Sequence, residues 1–220
     1  MGDTPSDRKL TWSSQLEGVI AKRGEECRGY AWIHQKAEQI YSRYENMISI
    51  PVIVLSTLTG FLSASSGSVI PSGPETSMAL GGISVAVGIL QTISSKFGWA
   101  KRAEGHRVAY LSYSELFNFI DVEMKLKRDE RMNPEDLIKM IRETMKRLSS
   151  TAPAMPASVL ERFAVEFEEE NVSKPAETNG LSKITVYSEE LKTPVPKISH
   201  PPQTTFIEEP SKAKITFLSV

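Results

Sequence analysis

Residues 47–66 read MISIPVIVLSTLTGFLSASS and residues 76–95 read TSMALGGISVAVGILQTISS, two 20-residue stretches without Asp, Glu, Lys or Arg. At a rise of about 1.5 Å per residue, each makes a helix of roughly 30 Å, the thickness of a bilayer's hydrocarbon core. Lipid offers no partner to a backbone N–H or C=O, so a spanning segment must be helical even where Val52, Ile53 and Val54 favour a strand. The competing reading is a buried hairpin of a soluble protein, and the hydroxyls of Ser56, Thr57, Thr59, Ser63, Ser84 and Thr92 speak for it. Two successive charge-free helices would, however, leave more apolar surface than a chain of 220 residues can cover. Gly67, Pro71, Gly73 and Pro74 break helices and favour a turn, so the expected fold is an all-α membrane protein built on an antiparallel two-span hairpin.

Basic residues flank only the outer ends of the spans: Arg28, Lys36 and Arg43 precede the first, and Lys96, Lys101, Arg102 and Arg107 follow the second. By the positive-inside rule both termini face the cytoplasm. Trp32, Tyr41, Tyr44 and Trp99, with Lys96, Lys101 and Arg102, are candidates for the membrane interface. Small residues recur four apart at Ser56, Gly60 and Ala64 in the first span, and at Gly82 with Ala86 and Ser84 with Gly88 in the second, positions suited to close helix packing or a pore. Neither span holds an ionisable residue, which argues against a proton relay or a carrier of charged substrates.

Outside the spans the pattern predicts long cytoplasmic helical extensions. Trp32, Ile40, Tyr44 and Met47 fall on one helical face leading into the first span, with residues 1–26 read as a polar N-terminal segment. Phe97 to Arg131 contains no proline, and Val108, Leu111, Leu116, Ile120 and Met124 keep helical spacing. The two extensions are expected to pair antiparallel, completing a helical domain over residues 27–150. Asn133, Pro134, Glu135 and Asp136 announce a third helix that ends near Ser150, with Leu137, Ile138, Ile141, Met145 and Leu148 as its apolar face. Residues 151–170 then form a linker and a short helix over Ala157 to Glu170, with Val159, Leu160, Phe163 and Phe167 on one side.

Residues 171–220 carry Pro175, Pro194, Pro196, Pro201, Pro202 and Pro210 and only short apolar bursts, too little to form a core. This extended or disordered tail could bind a protein partner by adding Ile184, Val186 and Tyr187, or Ile215 and Phe217, to a sheet edge. At the other end, Met1-Gly2-Asp3-Thr4-Pro5-Ser6 matches the loose pattern for myristoylation at Gly2.

The search for chemistry finds no catalytic, cofactor or metal site. His34, His106 and His200 fall in different segments without a second ligand at metal spacing, and the single Cys27 excludes an internal disulfide and a cysteine zinc site. Glu104-Gly105-His106 suggests acid–base work only weakly, and His106 is read as a surface or interhelix contact. The 26 Lys and Arg balance 27 Asp and Glu, which gives no electrostatic reason to expect nucleic acid.

The order of Tyr30-Ala31-Trp32, Tyr41-Ser42-Arg43-Tyr44, two spans, Lys101-Arg102-Ala103-Glu104-Gly105-His106 and Tyr110 to Leu116 resembles the SLATT family. The name denotes two-transmembrane effector domains associated with bacterial nucleotide-signalling systems. The resemblance covers roughly Cys27 to Leu148 and implies an all-helical domain whose hairpin oligomerises into a pore. Similar members occur in large DNA viruses that enclose a lipid membrane. The chain departs from the bacterial effectors in its proline-rich tail and its lack of an attached sensor or enzyme domain. The expected function is therefore a non-enzymatic anchor, such as a minor capsid or inner-membrane protein of a virion, that joins a bilayer to a protein shell as a homo- or hetero-oligomer. The alternative is an oligomeric pore.

Overall fold

A computed structural model describes residues 10–65, 73–178 and 180, and every regular element among them is helical. Gly2 and the tail positions Ile184, Val186, Tyr187, Ile215 and Phe217 lie outside the described residues.

Helix α1 (Ser14–Ala64) is a single rod of 51 residues, about 75 Å long. It starts at Ser14, well before Cys27, because the Ser13 hydroxyl caps it by accepting the Leu16 N–H at 3.2 Å. Residues 14–26 thus belong to the helical domain, and Ile20 is only 2% exposed. Along its inner face Ile20, Gly24, Cys27, Ala31 and His34 are buried, and Glu38, Tyr41, Glu45, Ile48, Val52, Leu55, Thr59 and Leu62 continue as half-buried positions. The spacing alternates between three and four throughout, the register of a coiled-coil seam.

The chain returns as α2 (Pro74–Phe97) and α3 (Trp99–Lys125), both packed on α1. Thr76, Leu80, Ile83, Val87, Leu90 and Ser94 make the half-buried face of α2 at the same alternating spacing. Gly98 separates the two helices with φ 60° and ψ 40°, a left-handed conformation that glycine adopts without the steric cost of a Cβ. Both apolar segments belong to helices long and apolar enough to cross a membrane. Their outer faces are apolar and open: Met47, Ile50, Ile53, Val54, Leu58 and Phe61 on α1, and Met78, Val85, Ile89 and Ile93 on α2, are exposed. Three span hydroxyls are satisfied within their own helices, whereas the buried Thr59 Oγ1 has no hydrogen-bond partner among the described residues. Thr57 donates to the Ile53 carbonyl at 2.8 Å, Ser84 to Leu80 at 2.9 Å and Thr92 to Gly88 at 2.8 Å.

The buried face of α3 is His106, Ala109, Tyr113, Leu116 and Ile120. Val108 and Leu111, expected in the core, are 53% and 52% exposed, because His106 and Tyr113 hold the inward positions of that register. The helix stops at Lys125, short of Arg131. The Arg131 guanidinium folds back there and donates to the carbonyls of Leu126 at 2.8 Å and Met124 at 3.1 Å.

Helix α4 (Pro134–Thr151) follows its sequence signals: Asn133 Oδ1 accepts the Glu135 N–H at 3.0 Å, and Leu137, Ile141 and Leu148 are buried. Helix α5 (Ala157–Glu166) ends four residues before Glu170. Glu166, Glu168, Glu169 and Glu170 would place negative charge on the carbonyl end of a longer helix, where the dipole disfavours it. Its Val159 and Phe163 are buried against Ile33 and Ala37 of α1. The following residues do not leave the domain at Asn171. Ser173 N–H donates to Glu25 at 2.7 Å, Pro175 is buried against Gly29, and a 3-10 turn (Ala176–Thr178) brings Glu177 to the Tyr30 hydroxyl at 2.7 Å.

Candidate functional site

Before the apolar third of α1, the α1–α3 seam is filled by rings. Tyr30 of α1 stacks on Tyr113 of α3 with centroids 5.0 Å apart, and Tyr113 stacks on His34 of α1 at 5.6 Å. The Nδ1 atoms of His34 and His106 lie 2.8 Å apart, a hydrogen bond between two residues that are each only 1% exposed. His106 in turn stacks on Tyr41 at 5.4 Å, and the Arg102 guanidinium lies over Tyr41 at 5.8 Å. Apart from this ladder, a separate group of rings, Tyr44, Trp99 and Phe97, lies near the apolar segments, with successive centroids 6.1 Å and 5.0 Å apart.

The helical registers cause this placement. His34 lies seven residues after Cys27 on the inner face of α1, and His106 and Tyr113 are seven apart on α3, so the partners meet where apolar side chains would otherwise pack. The bond requires opposite roles at the two Nδ1 atoms: one carries a proton and donates, the other presents its lone pair. Both rings are held neutral. Burial, and secondarily the neighbouring His106, lowers the pKa of His34 from 6.5 to about 4. Burial, and secondarily the Arg102 charge, lowers that of His106. One added proton would be a charge in the core. A second would set two N–H groups against each other and break the bond.

A second polar clamp sits at the base of the apolar hairpin. The Glu45 carboxylate of α1 accepts the hydroxyl of Ser94 from α2 at 3.2 Å and that of Ser49 from its own helix. It joins the two helices of the hairpin at the end of the apolar region.

The interface candidates divide. Tyr44 and Trp99 pack together at the hairpin base beside exposed Lys96 and Lys101, whereas Tyr41 and Arg102 belong to the ladder. Trp32 lies about 22 Å along the helix from Met47 and packs edge-on against Phe163 and Phe167 of α5, each at 5.4 Å. Its ring holds α5 to α1. The small residues Ser56, Gly60, Ala64, Gly82, Ser84, Ala86 and Gly88 all lie on exposed faces, and an added Cβ at Gly60, Gly82 or Gly88 meets nothing within 4 Å. The intramolecular seam is made by larger residues.

Reading the sequence segment by segment missed the histidine pair, because the partners are 72 residues apart. A heptad register drawn through each helix would have put both histidines on inner faces, and only the packing of α1 on α3 sets them opposite each other. Only two ligating groups meet there, and no group of three His, Cys, Asp or Glu that could hold a metal occurs among the described residues. No family model, curated protein or solved structure matches the chain.

Proposed function

We propose that this protein is a non-enzymatic, membrane-anchored assembly protein. The distal third of α1, from Met47, forms with α2 a two-pass hairpin in a bilayer, both termini are cytoplasmic, and the helical domain with the chain beyond residue 180 engages a protein shell. The observation that supports this reading is the change of surface along α1. Beyond Glu45 the outward positions are largely apolar, from Met47 through Phe61, whereas before it they are largely polar or charged. This apolar outer face runs for about 21 Å within a charge-free stretch of roughly 30 Å, a surface stable in lipid and not in water.

The continuity of α1 from Ser14 to Ala64 suits an anchor, because one helix joins the domain to the hairpin. The test is truncation after Gly180, which spares the docked residues 171–178. The shortened protein should resist alkaline extraction from membranes yet lose co-purification with its assembly partners. A shortened protein that retains those partners would sink the reading.

A pore is the second reading, favoured by the small residues left open on the outer faces of both spans. Gly60→Leu and Gly88→Leu have room in the single chain, so loss of liposome ion flux in those variants would report an oligomer. Absence of flux from the unaltered protein would end this alternative.

A further inference from the structure

A cavity of about 520 Å3 opens beside the histidine pair, between α1, α4 and the linker that follows α4. This is within the usual range of roughly 300–1,000 Å3 for small-molecule sites. Val19, Ile20, Ile138, Ile141, Met145 and Met155 supply an aliphatic wall, and two of these are methionines, whose flexible thioethers adapt to a chain of variable shape. Its aromatic lining is already committed to the ladder: Tyr30 and Tyr113 stack on each other, and Tyr113 stacks on His34. An extended aliphatic body therefore suits the cavity better than a planar base.

The charged lining is mostly positive. Arg23, Arg142 and Lys146 contribute cations against the single carboxylate of Glu177. Glu177 accepts the Tyr30 hydroxyl at 2.7 Å, and Arg23 is engaged by Glu26 at 2.7 Å. Arg142 and Lys146, one turn apart on α4, form no ion pair among the described residues. An apolar wall with two uncompensated cations fits a ligand with one acidic head and one hydrocarbon chain.

We propose that this cavity binds a soluble single-chain carboxylate of intermediate length, with its head on Arg142 and Lys146 and its chain along the aliphatic wall. His34 is about 20 Å along α1 from Met47 and Val19 about 40 Å, so a bilayer lipid does not reach the site. That exclusion rests on the membrane reading above; the charge and shape of the cavity do not.

The test is equilibrium dialysis of isotopically labelled decanoate against the full-length protein in zwitterionic nanodiscs, with empty nanodiscs subtracted. Saturable binding is expected, with affinity reduced about tenfold or more in R142E/K146E, a loss of the size expected for charge-assisted contacts. Ala154→Trp, which fills the cavity from its linker side, should also block binding. Equal binding of decanol, unchanged affinity in R142E/K146E, or no saturable binding at millimolar ligand would overturn the proposal. So would competition by anionic lipid built into the nanodisc, which would also place the bilayer closer than the membrane reading allows. Loss of binding with normal alkaline-resistant insertion would leave that reading standing.

Discussion

A Cβ built on Gly29 of α1 would lie 2.6 Å from Cδ and 2.7 Å from Cγ of Pro175, so the proline ring occupies the notch left by the missing side chain. Pro175 is among the fully buried residues of the molecule, although it falls in a stretch whose composition resembles a tail. This contact, with Ser173 on Glu25 and Glu177 on Tyr30, holds residues 173–177 against α1.

Gly29→Ala should therefore expel the proline and loosen residues 171–178, at a cost of about 1–3 kcal/mol typical of overpacking. Limited proteolysis should cut this stretch faster in the variant. Pro175→Ala added to Gly29→Ala should recover part of the loss, because the two changes share one contact. Additive effects would show that the notch and the ring are not coupled.

The histidine pair makes stability depend on pH in a defined direction. His34 binds its proton near pH 4 when folded and near 6.5 when unfolded, so between these values the unfolded chain holds more protons and stability falls as pH falls. The loss from pH 7 to 5 should be on the order of 1–3 kcal/mol, measured as the urea midpoint of the helical domain. Glu17, held at about 2 by hydrogen bonds from Arg128 and Arg131, titrates below that window. His34→Leu with His106→Leu should flatten the dependence. Either single change, which strands one buried imidazole, should destabilise more than the pair.

Arg131 ties three elements together. Its side chain is 9% exposed, pairs with Glu17 of α1 at 2.6 Å, caps the carbonyl end of α3 and lies over Trp12 at 5.1 Å. Lysine keeps the charge but lacks the planar fork, so Arg131→Lys should leave a carbonyl unpaired at a cost of about 1–3 kcal/mol. Hydrogen exchange should quicken at the end of α3 and the start of α1. Exchange unchanged in both places would show that charge alone suffices.

Cys27 is wholly buried in the α1–α3 seam, and burial pushes its thiol up to about 12. Alkylation by iodoacetamide at pH 8 should then be slow in the folded protein and accelerate in step with urea unfolding. Rapid labelling without denaturant would mean that the seam opens on its own.

The apolar hairpin was legible because its determinants are local. Charge-free runs of 20 residues, a loop of glycine and proline, and the Asn133-Pro134-Glu135-Asp136 start of α4 each act within a few residues of themselves. Of the aromatic residues expected at a membrane interface, Tyr44 and Trp99 pack together near the hairpin base. Trp32, another of them, packs against α5, since an aromatic ring that can rest at a lipid interface can equally cover another helix.

What the amino-acid order determined by itself is the set of helices and the apolar length of two of them, because backbone propensity and solvent transfer act residue by residue. Tertiary structure alone decided which inward polar residues meet one another. His34 and His106 become partners, Glu45 and Ser94 close the hairpin base, and Pro175 enters the notch at Gly29 only once α1 has packed against distant chain. Such pairings depend on the relative register of segments dozens of residues apart, and a hydrogen bond or a close fit exists only when both sides arrive together.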